Sequence, residues 1–157
     1  MTTVGAHVNM THVKTNPLIS WIRCWGPAIV IMAVIFLLSA TPSRILPNFG
    51  VSDTLVKKGA HMLGYALLTL AYMRGMSGLQ AGGKQSWKAA ALSLILAALY
   101  AMSDEYHQSF VPGRNSRWTD VGIDAVGGTV GLILWSLLPS LRRATAFRLP
   151  SALKGGG

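Results

Sequence analysis

Apolar residues fall into four long stretches along the chain, and short polar segments separate them. The stretches are Trp21 to Ala40, Ala60 to Met73, Ala89 to Met102 and Val121 to Leu138. A helix needs about 20 residues to cross the hydrocarbon core of a bilayer. The second and third stretches reach this length if they extend as Thr54 to Met73 and Trp87 to Phe110, which contain no proline. The pattern therefore predicts an all-α, polytopic membrane protein with four transmembrane helices in a small bundle.

Capping residues and prolines predict where these helices begin and end. Pro17 can open the first helix, and Thr41 followed by proline ends it. Residues favoured as N-caps precede the second and fourth helices, namely Ser52 or Asp53 and Thr119 or Asp120. We predict a cytoplasmic N-terminal tail over residues 1–16, a four-helix transmembrane domain over residues 17–142 and a basic, disordered cytoplasmic tail over residues 143–157.

Composition and charge fit this interpretation and give the chain an orientation. Apolar residues make up 51% of the chain and charged residues 12%, which is too apolar for a soluble domain. On one side of the membrane, the two tails and the connection between helices 2 and 3 carry nine Lys and Arg residues and no acid. The segments on the opposite side carry five cations and all five acids. The positive-inside bias therefore places both termini in the cytoplasm and the acidic segments outside.

The net charge of +9 could instead indicate a protein that binds nucleic acid. The cations are spread over tails and short loops, without a helix or an aromatic platform that could contact bases. Membrane topology and attraction to anionic lipid account for the same charge. We therefore predict membrane lipids and no nucleic acid as partners. The single cysteine, Cys24, excludes an internal disulfide and a cysteine metal cluster.

Polar residues interrupt the apolar helices near their predicted outer ends. They are Lys58, His61 and Tyr65 on helix 2, Asp104, Glu105, His107 and Gln108 on helix 3, and Asp120 and Asp124 on helix 4. Ionisable groups in a membrane helix are costly and normally turn inward to partners. In helix 4, Gly127 and Gly131 form a small-residue stripe that lets another helix approach closely. We expect helix 4 to pack centrally, with Asp124 buried against the polar residues of helix 2 or 3.

These residues also carry a family resemblance. The patterns Lys58-x-x-His61-x-x-x-Tyr65, Asp104-Glu105-Tyr-His107-Gln108-Ser-Phe-Val-Pro-Gly113-Arg114 and Asp120-x-x-x-Asp124-x-x-Gly127 resemble the VanZ-like membrane proteins. The resemblance implies a small, multi-pass protein of a bacterial plasma membrane, in a family whose namesake is associated with low-level resistance to the glycopeptide teicoplanin. Many relatives have an acid where this chain has Gly64. The family has Asn or Asp at the Asp124 position, which implies that a hydrogen-bonding oxygen matters there.

The polar residues are candidates for an extracytoplasmic site that acts on or binds an anionic cell-envelope lipid or precursor. The candidates for general acid–base catalysis are His61, Asp104, Glu105 and His107. The candidates for substrate binding are Lys58, Tyr65, Gln108, Arg114, Arg117, Asp120 and Asp124. The chain has no Ser-His-Asp signature, phosphate-binding glycine loop or His-Glu-x-x-His motif, so the reaction class stays open. Two acids and two histidines could also hold a divalent metal, but their spacing is not diagnostic, and we predict no metal and no cofactor.

Two hypotheses without catalysis use the same residues. In the first, the protein is a binding or resistance factor that recognises an envelope lipid or excludes a glycopeptide. In the second, the carboxylates pair with Lys57, Lys58, Arg114 and Arg117 and only pin the outer ends of the helices. A transporter is disfavoured, because four short helices without broken-helix signals offer only a small pathway. The sequence leaves the oligomeric state open.

Overall fold

A computed structural model of the chain describes residues 16–42, 44–45, 50–79, 86–138 and 140. Its helices are α1 (Pro17–Ala40), α2 (Asp53–Leu79), α3 (Trp87–Gln108) and α4 (Trp118–Leu137), and a 3₁₀ turn over Gly50–Ser52 leads into α2. The prediction of an all-α fold with four long helices is confirmed. The predicted tails lie outside the described residues, apart from Asn16.

The ends of α1 follow local chemistry, as predicted. Pro17 is the first helical residue, and the side chain of Asn16 accepts a hydrogen bond from the backbone N–H of Leu18 at 3.0 Å. Asn is a favoured N-cap, and a proline at the first position loses no helical hydrogen bond. Thr41 is the extended C-cap residue, directly before Pro42.

Ser52, one of the two predicted caps, directly precedes the first residue of α2, whereas the start of α4 differs from the prediction. Asp53 is the first residue of α2, which runs well past Met73 to Leu79. In α4 the helix begins at Trp118, and the N-cap residue is Arg117, whose side chain makes no capping hydrogen bond. The prediction of Thr119 or Asp120 as that cap is wrong. The cap comes from another helix, as shown below.

Two of the described helices are long and apolar enough to cross a membrane. They are Leu18–Ala40, with a mean hydropathy of 2.0, and Trp118–Leu137, with a mean hydropathy of 1.3. The other two helices, α2 and α3, have 27 and 22 residues, so they have the length to span. They are less apolar because they carry the polar residues discussed above. The structure thus supports two spanning helices by composition and leaves four spans as a proposal.

Helix α2 is the centre of the bundle. Both α2 and α3 pack against all three other helices, but the contacts of α2 with α4 and with α1 are the most extensive in the bundle. Helix α4 contacts α2 and α3 among the described helices. The expectation that helix 4 takes the central position is therefore wrong. The close contact of its glycine stripe is confirmed, since a Cβ added at Gly127 would lie 2.2 Å from the carbonyl oxygen of Met62, and one at Gly131 would lie 2.6 Å from that of Ala66. The backbones of α2 and α4 touch along this stripe.

Small residues fill the helix contacts, and large apolar residues point outward. Ala28, Ala71, Ala97 and Ala101 are all buried in the core. Large exposed apolar side chains occur on every helix, with Val30, Leu63, Leu99 and Ile133 among them. Interfaces built from small residues, together with apolar surfaces of this extent, are typical of helix bundles that lie in lipid.

Candidate functional site

The polar ends of α2, α3 and α4 and the loop between α3 and α4 enclose a cavity of about 370 Å³. Its lining residues are Asp53, Thr54, Lys57, Lys58, His61, Glu105, Gln108, Gly113, Arg114, Asn115, Arg117, Asp120, Ile123 and Asp124. All the predicted site residues are here except Tyr65, Asp104 and His107. Three helices thus bring an imidazole and carboxylates to one cavity, as the sequence predicts.

His61 and Asp124 form the deepest ionisable pair of the cavity. The His61 Nδ1 atom lies 3.6 Å from the Asp124 Oδ1 atom, and the side chains are 22% and 1% exposed. Neither carboxylate oxygen of Asp124 accepts a hydrogen bond from another described residue. A buried carboxylate without hydrogen bonds is costly, so its retention calls for a functional explanation. A carboxylate beside Nδ1 orients an imidazole so that Nε2 can exchange a proton with a ligand.

Two of the lining cations are already neutralised by lining acids. Lys58 Nζ lies 2.6 Å from Asp120 Oδ1 and so links α2 to α4. Lys57 Nζ lies 2.6 Å from Asp53 Oδ2, one turn away in the same helix. The acids that pair with these lysines therefore belong to α2 and α4, and not to α3. Partly exposed pairs such as these contribute at most about 1 kcal/mol each.

Glu105 supplies the cap that α4 lacks. Its Oε2 atom accepts a hydrogen bond from the backbone N–H of Arg117 at 3.0 Å, and the Ser116 hydroxyl donates to the Glu105 carbonyl oxygen at 2.7 Å. A carboxylate at the C-terminal end of α3 opposes the dipole of its own helix, but it is favourable at the N-terminal end of another. Glu105 therefore has a structural role, whatever else it does in the cavity.

Arg114 anchors the loop between α3 and α4 to the end of α1. Its guanidinium donates hydrogen bonds to the backbone carbonyl oxygens of Leu38 and Thr41. The preceding residue, Gly113, has a φ of 78°, which favours glycine at this turn. Burial lowers the pKa of Arg114 and the carboxylates of Asp104 and Glu105 oppose that shift, but an arginine stays charged in proteins. Arg114 is thus a wall of the cavity rather than a cation left open for a ligand.

Arg117 differs from the other three lining cations. Its side chain is exposed, and no described residue pairs with its guanidinium. It is therefore the lining cation best placed to attract an anionic group.

Three predicted site residues lie outside the cavity. Tyr65 is fully buried beneath His61, with its ring centroid 6.4 Å from that of the imidazole. His107 stacks against Phe36 of α1 with a centroid distance of 4.7 Å. Asp104 is buried against α1. The structure therefore places Tyr65, Asp104 and His107 outside the lining of the cavity, behind or beside the residues that form it.

Asp104 belongs to a second polar cluster that sequence analysis missed in part. Its Oδ2 atom accepts hydrogen bonds from the Ser39 hydroxyl at 2.8 Å and from Gln108 Nε2 at 2.9 Å, and the same Nε2 donates to Ser39 Oγ at 3.2 Å. We call Ser39, Asp104 and Gln108 the inner triad. Ser39 is fully buried. In the sequence, Ser39 stands out as a polar residue within the apolar end of helix 1.

The described residues give no support to a metal centre. No three of their His, Cys, Asp and Glu side chains converge closely enough to hold an ion. The possible ligand set of Asp104, Glu105, His107 and His61 is divided, because Asp104 and His107 face α1 while Glu105 and His61 line the cavity. Divalent metal binding by that set is therefore not proposed.

Comparisons with known proteins give one match. The family model for VanZ/LLP1 matches residues 20–139, which include every residue of the cavity and of the inner triad. No curated protein and no solved structure matches the chain.

Proposed function

The chain belongs to the VanZ/LLP1 family, and we propose that its cavity binds and acts on the anionic headgroup of a cell-envelope lipid or precursor. In this proposal the protein spans a bacterial plasma membrane four times, with both termini in the cytoplasm and the cavity on the outer side. The observation that carries the proposal is the buried His61–Asp124 pair on the cavity wall.

Exposed apolar side chains on all four helices support the four spans. Leu63 and Leu67 of α2 and Ile95 and Leu99 of α3 are as exposed as comparable residues of the two more apolar helices. In water such a surface would be an aggregation hazard, whereas lipid tails are its natural solvent. Lys57, Lys58 and His61 of α2 and Glu105 and Gln108 of α3 lower the hydropathy of these helices, and all of them line the cavity.

Aromatic side chains around the α3–α4 loop support a position at headgroup depth. Tyr106, Phe110 and Trp118 are all strongly exposed near the cavity, and the first two rings are in edge contact at 5.2 Å. Exposed aromatic residues concentrate at membrane interfaces, where apolar ring faces meet polar headgroups. A ligand that enters at this level presents its headgroup, and not its acyl chains, to the cavity.

The residues suit proton transfer on such a headgroup. Arg117 attracts the anionic group, and His61 takes or gives a proton while Asp124 holds its ring. Water, or the hydroxyl group of a second molecule, would attack the phosphorus atom of a phosphate headgroup, and the bond from phosphorus to the departing alcohol oxygen would break. His61 would take the proton of the nucleophile and return it to that oxygen, which gives hydrolysis or transfer. Glu105 stands on the same wall, but its carboxylate is partly committed to the start of α4.

A matched pair of histidine variants tests this proposal. His61→Gln and Asp124→Asn should abolish conversion of envelope lipid by the purified protein in vesicles, with products followed by mass spectrometry. His107→Gln removes a histidine outside the cavity and should leave conversion unchanged. If His61→Gln retains full conversion while the protein stays folded, the assigned base is wrong.

Binding without chemistry is the second candidate, and the paired lysines favour it. Because Lys57 and Lys58 are neutralised within the cavity, the site can hold its shape without a ligand and could serve recognition alone. Two measurements on the wild-type chain separate catalysis from binding alone: the teicoplanin susceptibility of cells that produce the protein, and lipid conversion by the purified protein. Reduced susceptibility and lipid binding without any product would indicate a binding factor.

A further inference from the structure

The inner triad fixes the orientation of the Gln108 amide. Both hydrogen bonds of this side chain are donated by Nε2, one to the carboxylate of Asp104 and one to the hydroxyl of Ser39. A carboxylate cannot donate a hydrogen bond, so the reversed amide would place two acceptors against each other. The Ser39 hydroxyl donates to Asp104 as well, which closes the triad.

This orientation decides what Gln108 offers to the cavity. Gln108 lines the cavity although it is 5% exposed, and its two N–H groups are used on the side of α1. Its carbonyl oxygen Oε1 is left as the group that can meet a ligand, and that oxygen can only accept a hydrogen bond.

Carboxylates contribute further acceptors at the deep wall of the cavity, beside His61. Asp124 is 2% exposed, and its oxygens lie behind the wall with the His61 ring as their neighbour at 3.6 Å. Glu105 is 4% exposed and uses Oε2 for the start of α4, so its other oxygen can accept as well. The exposed cation, Arg117, belongs to the α3–α4 loop. The cavity thus combines a cationic rim with a floor of acceptors.

We infer that the ligand carries hydrogen-bond donors, hydroxyl or amine groups, next to its anionic group. The inference rests on the proposed function and narrows its substrate class. The anionic group would meet Arg117, and the donors would reach the acceptor of Gln108 and the Glu105 oxygen that does not cap α4. A site that is built to bond a hydroxyl or amine group rejects an analogue that lacks it, because the buried acceptors are then left unpaired.

Four lipids with identical short acyl chains test the inference on the full chain in detergent micelles. Phosphatidylglycerol and phosphatidylmethanol are both anionic, but only the first has hydroxyl donors. Phosphatidylethanolamine and phosphatidylcholine are both zwitterionic, but only the first has amine donors. Dissociation constants measured by native mass spectrometry should be lower for the donor lipid of a pair, by about fivefold or more.

The pairs separate failure of the inference from failure of the proposed function. If neither donor lipid binds more tightly than its counterpart, the inference is overturned, while tighter binding of both anionic lipids than of phosphatidylcholine keeps the proposed function. If the anionic lipids bind no better than phosphatidylcholine, the proposed function fails. Selectivity within the glycerol–methanol pair identifies hydroxyl donors, and selectivity within the ethanolamine–choline pair identifies amine donors. Either result supports the inference.

Substitutions of the inner triad test the role of the amide. Asp104→Ala leaves the Gln108 amide against the Ser39 hydroxyl, which can donate as well as accept, so the amide can reorient. Gln108→Met removes the acceptor. Both variants should reduce the selectivity for the donor lipid to about twofold or less. Ser93→Ala is the matched control, because Ser93 is equally buried but contacts Met76 in another part of the bundle. If Gln108→Met keeps the full selectivity, Gln108 does not accept a hydrogen bond from the ligand. The lipid comparison needs the wild-type chain alone, so it stands even where a variant does not fold.

Discussion

The contact between α2 and α4 offers a sharp test of the fold, because it leaves no room for a single methyl group. Gly127→Ala would place a Cβ 2.2 Å from the carbonyl oxygen of Met62 and 2.9 Å from its Cα. Ordinary contacts begin at 3.4 Å, so the two backbones would have to separate by about 1.2 Å. Gly122→Ala in the same helix is the matched control, since nothing lies within 4 Å of its added Cβ.

The expected size of the effect follows from two opposed contributions. Replacing glycine by alanine in a helix favours the folded state by about 1 kcal/mol, and both variants share this gain. Forcing an extra methyl group into a packed contact opposes it by about 1–3 kcal/mol, and the rigid backbone of α2 places Gly127→Ala at the upper end. Gly127→Ala should therefore be about 3 kcal/mol less stable than Gly122→Ala.

Thermal unfolding in detergent, followed by tryptophan fluorescence, measures this difference. The midpoint for Gly127→Ala should fall below that of Gly122→Ala by at least about 5 °C. Ligand binding should suffer too, because Met62 follows His61 directly and Gly127 lies one turn after Asp124. Equal midpoints for the two variants would mean that α2 and α4 do not touch as described.

Three further predictions concern the rim of the cavity and its position. Glu105→Ala should destabilise the protein by about 1 kcal/mol and speed amide exchange in the first turn of α4, because the cap is lost; unchanged exchange would refute the cap. A double-mutant cycle of Lys58→Met and Asp120→Asn should give a coupling below about 1 kcal/mol, since the pair is partly exposed, and a larger value would make it a main link between α2 and α4. Asn115→Cys in a Cys24→Ser background should react with a membrane-impermeant maleimide on intact cells; labelling only after lysis would invert the orientation.

The parts of the fold that could be predicted from the sequence depend on local helix chemistry or on the exclusion of polar side chains from lipid. Apolar stretches and Pro17 located the helices, and Gly127 with Gly131 predicted the close contact of helix 4. The meeting of His61, Glu105 and Asp124 in one cavity was also predictable, because ionisable groups in a membrane helix turn away from lipid.

Pairing of the charged groups could not be predicted in the same way. Several cations stood within reach of the acids of α3, and the choice depends on the rotation of each helix and on the path of the α3–α4 loop. The loop sends Arg114 to the end of α1, and Lys58 then pairs with Asp120. Spacing along α3 likewise did not reveal that His107 faces Phe36 of α1, because a helix face has no fixed partner until the bundle is assembled.

The five carboxylates of the chain differ in how well the fold accommodates them, and this difference supports the role proposed for Asp124. Four of them accept at least one hydrogen bond: Asp53 from Lys57, Asp104 from Ser39 and Gln108, Glu105 from the backbone of Arg117, and Asp120 from Lys58. Asp124 is as buried as any of them, but it has only an imidazole at 3.6 Å. Loss of the other four would leave donors unpaired and weaken the bundle, whereas Asp124→Asn removes a charge that no described donor satisfies. We therefore expect Asp124→Asn to be the carboxylate variant that keeps or raises the unfolding midpoint while it loses conversion of the lipid, and a marked loss of stability in that variant would show that Asp124 serves the fold instead.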